Sequence, residues 1–216
     1  MSSRPATTSP ITPTGIAAFD VDGTLTRSDC VVPFLRQTAG TRSLSTRLLR
    51  DPLGVARAAA RRDRDALKVA ATAAAFSGIV EADLAEPARV FAERVYRRNL
   101  RADTMARLEA HRDAGDTVVL VSASFEVYLQ PLAELLGAHH VISTRLEVDG
   151  EGRYTGRLAG LNCRGPEKVR RLHEWLDADH GGRPAVHVTA YGDSAGDREL
   201  LADADVAHWV GRRKPA

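Results

Sequence analysis

Apolar and polar positions along the 216 residues follow two different rhythms. Near 16–21 ("IAAFDV"), 117–123 ("TVVLVSA"), 140–144 ("HVIST") and 185–192 ("AVHVTAYG") the chain is almost continuously apolar and rich in β-branched residues. Such runs predict strands buried on both faces. "VAHWV" near 206–210 predicts a weaker fifth. Helical patterns separate the later runs. "DTMARLEAHRDAG" stops at Gly115, and "SFEVYLQPLAELLG" stops at Gly137, with Pro131 expected to bend that helix or start a new one. "GPEKVRRLHEWLDAD" and "SAGDRELLADA" complete the alternation. Strands alternating with helices predict an α/β fold: a three-layer, Rossmann-like core with a mostly parallel sheet.

Two segments depart from that alternation. "TRLEVDGEGRYTGRL" alternates around Asp149-Gly150 and Gly152, which predicts a β-hairpin beside the main sheet. Residues 31–102 look helical throughout, dense in Ala, Leu and Arg. In "EADLAEPARVFAERVYRRNL" the acids come early and Arg97 and Arg98 late, an order that suits a helix dipole. A helical block of that length after the first strand reads as an inserted, all-helical cap. The expected division is a disordered tail over 1–14, a core over 15–30 and 103–212, and the cap over 31–102.

Composition narrows the function classes. A net charge of +2 and only 5% aromatic residues argue against a nucleic-acid partner. Cys30 and Cys163 form neither a disulfide framework nor a zinc-type cluster, as expected in a reducing compartment. "MSSRPATTSPITPTG" lacks the apolar core of a signal peptide, and no uncharged apolar run approaches the ~20 residues that span a bilayer. The expectation is a soluble, cytoplasmic protein.

The candidate chemistry lies at predicted strand ends, where open α/β sheets bind ligands. Asp20 and Asp22 close the first run, and in an extended strand residues i and i+2 face one side. Two close carboxylates repel unless a cation lies between them or one takes a proton. Oxygen ligands suit Mg²⁺, which commonly works with phosphates. Gly23 and Thr24 form a turn able to aim backbone N–H groups at an anion. Ser122, with the neighbouring backbone N–H at Ala123, supplies donors for phosphoryl oxygens. Asp193 stands at the end of a later strand, Asp197 four residues on, and Lys168 early in a helix. Together they make an electrostatic clamp for phosphoryl transfer.

The set "DVDGTLT", "VVLVSAS", "GPEKVRRL" and "YGDSAGD" resembles, in order and spacing, the four motifs of the haloacid dehalogenase superfamily of phosphatases. The likeness spans nearly all of the chain except the tail. The helical insert looks like the C1 cap of the phosphoserine-phosphatase-like subgroup, subfamily IB. The resemblance implies that Asp20 is the nucleophile and that Asp22 protonates the leaving oxygen and then activates water. It implies Mg²⁺ on the Asp20 carboxylate, the Asp22 backbone carbonyl and the Asp193 carboxylate. It further implies phosphoryl binding by Ser122 and Lys168, with Asp197 orienting Lys168 or a metal-bound water. The cap would close over the site and choose a small phosphorylated substrate.

Singly, each residue has a plainer reading. Ser122 can be a strand-end hydroxyl, Ser124 the cap of the next helix, Lys168 a solvated lysine and Asp193 an N-cap. A first-turn Asp197 also suits the helix dipole. Cys163 reads as a packed thiol. Asp29 stays open between two roles. Phosphoserine phosphatases carry a glutamate at the matching place, which contacts the substrate amine, whereas Asp29 can also cap the helix starting near Val31. "SASF" departs from the glycines usual after that serine. These departures bear on the substrate and not on the chemistry. The cap arginines (Arg42, Arg47, Arg50, Arg57, Arg61, Arg62, Arg64) read as a solvated face. The alternative to a small metabolite is a lipid phosphate, with "TRSLSTRLLRDPLGVARAAARR" lying on anionic membrane. A third reading is a receiver module phosphorylated on an aspartate. The early position of "DVDGT" and the size of the insert argue against it.

Overall fold

The computed structural model describes residues 14–40, 60 and 64–211. The expected tail, the cap arginines 42 to 62 and nearly all of the basic stretch 41–62 lie outside the described residues. Strands β1 (Thr14–Phe19), β2 (Thr117–Phe125), β3 (His140–Thr144), β6 (Val186–Gly192) and β7 (Val206–Trp209) form one sheet in the order β3-β2-β1-β6-β7. Every neighbouring pair is parallel. The weak fifth run therefore forms its strand, at an edge.

Alternate side chains on the inner strands enter two separate apolar clusters. Ala17, Phe19, Val118 and Leu120 enter one, while Ile16, Ala18, Val119 and Val121 enter the other. Helices α6 (Pro166–Asp179) and α7 (Arg198–Asp203) cover the second cluster through Leu172, Leu176 and Leu200. The first is covered by α4 (Ala102–Asp113) and α5 (Glu126–Leu136). Pro131 lies inside α5 and does not start a new helix. Its missing N–H weakens one turn, but Leu129, Leu132, Ala133 and Leu136 are buried around it.

The inserted helices are α1 (Val31–Ala39), α2 (Arg64–Phe76) and α3 (Glu81–Arg98). Their apolar faces continue the first cluster and do not build a separate core. Phe34 stands 4.7 Å, centroid to centroid, from Tyr128 of α5, and Phe76 stands 5.3 Å from Phe125. These aromatic contacts join insert to core.

The hairpin forms as β4 (Leu146–Val148) and β5 (Tyr154–Leu158). The Asp149 carboxylate accepts from the N–H of Glu151 and of Arg153, which fixes its turn. It packs on the insert, where the sequence suggested a place beside the main sheet. Tyr154 N–H donates to Ile79 O at 2.9 Å, and Gly78 N–H donates to Tyr154 O at 2.8 Å. Gly156 makes this approach possible. Its φ is +82°, and a Cβ there would lie 3.0 Å from Ala73 Cα and Ser77 Cβ of the insert.

Gly156→Ala should therefore cost roughly 1–3 kcal/mol in equilibrium urea unfolding, from the left-handed backbone and the contact with α2. Gly150→Ala, with nothing within 4 Å and no positive φ, should stay within about 0.5 kcal/mol. Equal effects at the two glycines would show that the hairpin is not seated on α2.

Candidate active site

The parallel register gathers the chemistry at one edge of the sheet. Phe19 of β1 pairs with Leu120 of β2 and with Tyr191 of β6. The next residues in each strand direction are Asp20, Val121 and Gly192, followed closely by Ser122 and Asp193. Phe19 stacks flat on Tyr191 at 4.3 Å, and Asp20 N–H donates to Tyr191 O at 2.9 Å. These contacts fix the point at which β1 stops and Asp20 begins.

Lys168 reaches this point from the first turn of α6. Its side chain is 2% exposed, and Nζ lies 2.7 Å from Asp20 Oδ1 and 2.5 Å from Asp197 Oδ1. Burial alone would lower the lysine's pKa. The two carboxylates outweigh it and raise the pKa, so the ammonium is firmly charged. Asp197 is itself held. Its Oδ2 accepts from Ser194 N–H at 2.9 Å and Ser194 Oγ at 2.8 Å, closing a capping box on a short 3₁₀ turn. Burial works against the Asp197 anion, but Lys168 and Ser194 carry its pKa below the usual carboxylate range.

Asp20 behaves differently. Burial pushes its carboxyl up to about 7, against the pull of Lys168. Asp193 is also raised, first by burial and then by the Asp197 charge. Thr24 Oγ1 donates to Asp193 Oδ1 at 3.4 Å. Gly23 has φ +86°, and a Cβ on it would sit 2.3 Å from Asp193 Oδ2. Glycine is required there for the turn and for the close approach alike. Carboxylate oxygens of Asp20, Asp193 and Asp197 lie within 4.8 Å of one another. An all-oxygen set of this kind fits a hard divalent cation such as Mg²⁺.

Asp20 and Asp22 do not lie on one extended strand, because β1 ends at Phe19 and Asp22 lies in the following turn at φ −74°, ψ 112°. Its carboxylate accepts from Cys30 N–H at 2.9 Å and from Ser124 Oγ at 2.5 Å. Burial pushes it up to about 6, with the Ser124 bond opposing. Ser124 is thus the partner of Asp22 and not a helix cap; the residue preceding α5 is Phe125. Asp29 accepts from Val32 N–H at 3.0 Å and caps α1. Ser122 Oγ accepts from Ser124 N–H at 3.1 Å. Cys163 is fully buried, as its reading as a packed thiol requires.

Lys68 was not singled out by the sequence reading. It is the one charged residue in 66–76, a run otherwise apolar except for Thr72, and that is the signal that marks it. From α2 it reaches Ala123 O, Thr144 Oγ1 and Asn162 Oδ1. A cavity of about 600 Å³ lies elsewhere, along the outer edge of β3 between Trp175 and Arg145. It touches none of the strand-end aspartates, and Arg170 and Arg171 beside it are paired with Glu167.

Residues 17–202 match the model of the haloacid dehalogenase-like hydrolase family. Protein CicA of Caulobacter vibrioides is 40% identical over 203 residues, covering 93% of this chain and 88% of that protein. A phosphoserine phosphatase of Archaeoglobus fulgidus is 28% identical over 194 residues, 88% of this chain and 50% of that one. A solved structure from Bordetella pertussis Tohama I, a protein of unknown function, superposes with a TM-score of 0.72 at 26% identity over 88% of this chain and 87% of that chain.

The raised carboxyls carry a stability consequence. Their contribution is fully present below the ordinary carboxylate range and is lost as pH rises through about 6 for Asp22 and about 7 for Asp20. In EDTA the thermal midpoint should therefore fall between pH 5 and pH 8, and Asp20→Asn should flatten the upper part of that fall. An unchanged slope in Asp20→Asn would show that Asp20 titrates as an ordinary surface carboxylate.

Proposed function

Because the chain belongs to the haloacid dehalogenase-like hydrolases and is a phosphatase of that family, we propose that it is a Mg²⁺-dependent phosphomonoesterase acting on a small phosphorylated metabolite through an aspartyl-phosphate on Asp20. The carrying observation is that Asp20 and Asp22, one residue apart, occupy different environments. Asp20 Oδ1 is held by Lys168, which leaves Oδ2 to act as a nucleophile. Asp22 is held by a hydroxyl and a backbone N–H, with its carboxyl raised to about 6 by burial. Burial raises both carboxyls, so the division into nucleophile and proton carrier rests on their partners: the Lys168 ammonium favours ionised Asp20, whereas neutral donors hold Asp22.

Asp20 Oδ2 attacks phosphorus, the bond from phosphorus to the ester oxygen breaks, and Asp22 gives its proton to that leaving oxygen. Asp22 then takes a proton from a water that attacks the phosphorus, and the bond from phosphorus to Asp20 breaks. Lys168 spends two of its three N–H donors on Asp20 and Asp197, so one remains for a phosphoryl oxygen. Ser122 Oγ and the Ala123 N–H would hold further oxygens, beside the turn of Gly23 and Thr24. Asp20, Asp193 and the Asp22 backbone carbonyl would hold Mg²⁺, with Asp197 behind them. The cation, when bound, supplies positive charge that favours ionised Asp20 and offsets the phosphoryl charge.

The similarity to a phosphoserine phosphatase supports a small substrate. Asp29 is exposed and spends Oδ2 on Val32 N–H, so its other carboxylate oxygen could meet a substrate amine while the cap is kept. The lipid reading draws on residues 41–62, which apart from Ala60 lie outside the described residues. No helix among the described residues is long and apolar enough to cross a membrane.

Asp20→Asn should lower turnover of an aryl phosphate by at least roughly 10³-fold and abolish acid-stable labelling from a ³²P-labelled substrate. Retained turnover would overturn the nucleophile assignment. Asp22→Asn should behave otherwise. An aryl phosphate with a good leaving group should still phosphorylate it, and the labelled enzyme should then accumulate because water is no longer activated. Wild-type activity should vanish in EDTA and return on adding Mg²⁺; activity that survives EDTA would remove the metal from the proposal.

A further inference from the structure

The Lys68 ammonium enters a cup made from three parts of the core. It donates to the Ala123 carbonyl at the end of β2, to Thr144 Oγ1 (3.2 Å) at the end of β3, and to Asn162 Oδ1 (2.7 Å) on the loop leading to Lys168. It also sits 4.7 Å above the centre of the Phe125 ring. Thr144 Oγ1 braces the same carbonyl from 2.9 Å and lies 2.8 Å from Asn162 Oδ1. It also accepts from Cys163 N–H at 3.0 Å.

These contacts matter through a single peptide plane. The Ala123 carbonyl and the Ser124 N–H belong to one planar unit and point in opposite directions. Fixing the carbonyl on Lys68 and Thr144 therefore fixes the N–H, which donates to Ser122 Oγ at 3.1 Å. A donor on that oxygen occupies one of its lone pairs and directs the hydroxyl hydrogen away from the peptide. We propose that Lys68 is a positioning residue: from the inserted helix it locks the Ala123–Ser124 peptide, and through it aims the Ser122 hydroxyl at the phosphoryl group. The inserted helices thereby act on the phosphoryl-binding segment of the core without touching the reacting atoms. The inference rests on the reading of Ser122 as a phosphoryl ligand, and its test separates the two.

The full-length protein is assayed with an aryl phosphate and Mg²⁺, with inorganic phosphate as competitive inhibitor, for Lys68→Met, Ser122→Ala and the double variant. Lys68→Met should raise the inhibition constant for phosphate roughly ten-fold, the scale seen when a support behind a ligand is removed. Ser122→Ala should raise it by at least as much, and the double variant should be no worse than Ser122→Ala alone. A merely structural lysine would not show that non-additivity. Should Lys68→Met fail to fold, Thr144→Val removes the other brace on the carbonyl and is read in the same cycle, with a smaller effect. Losses that multiply in the double variant would mean that Lys68 meets the substrate directly and would overturn the proposal. Wild-type inhibition in Lys68→Met, with Ser122→Ala impaired, would overturn it while leaving the Ser122 reading intact. Wild-type inhibition in Ser122→Ala would remove both.

Discussion

The buried contact among Asp20, Lys168 and Asp197 is the constraint on which the rest of the molecule depends. Two carboxylates and one ammonium, each under a tenth exposed, are costly to take out of water. They add little to folding on their own. The two apolar clusters on either side of the sheet must carry that cost, and they also set the geometry. β1 is the central strand, flanked by β2 and β6, and Asp20 at its end is buried. Asp20 sits there with little access to water, and the Lys168 ammonium compensates its charge. A surplus of negative charge remains once Asp193 joins the group. That surplus suits a hard divalent cation.

The insert is tied to this centre by two kinds of contact. Phe34, Phe76 and Phe91 pack with Tyr128 and Phe125 in one aromatic layer, which buries area without choosing a precise position. Lys68 supplies the direction that the apolar layer lacks, because its acceptors fix an ammonium to a point. The hairpin adds a third fastening, paired to the segment following α2. Insert and hairpin are therefore joined to each other as well as to the core, although they are far apart in sequence.

Much of this was legible in the chain. The strands could be read because they are buried on both faces, which leaves continuous apolar runs. Asp20, Ser122, Lys168, Asp193 and Asp197 could be read because they stand at strand ends or in a helix's first turn, where the register must bring them together. What escaped was decided by side chains meeting across long separations. Ser124 reads locally as a helix cap, yet its hydroxyl goes to Asp22, 102 positions away. Lys68 stands out locally only as a lone cation, and its carbonyl partner lies 55 residues on. The seat of the hairpin depended on Gly156 meeting Ala73 and Ser77, and no local pattern announces a contact of that kind.

The spacing of Asp20 and Asp22 shows how local geometry decided the chemistry. Had the strand continued, both carboxylates would have faced one side and repelled each other in a dry site. The strand stops at Phe19 instead. Val21 is fully buried between the two, and Gly23 at φ +86° turns the chain away. Asp22 is carried toward the ends of β2 and α1, where Ser124 and Cys30 receive it. Asp20 stays against Lys168. The same turn that separates the charges brings Gly23 against Asp193, so a side chain at 23 would displace the Asp193 carboxylate as it disturbed the turn. Charge separation and the placing of Asp193 thus share one glycine, which ties the environments of the two aspartates to the backbone and not to their side chains alone.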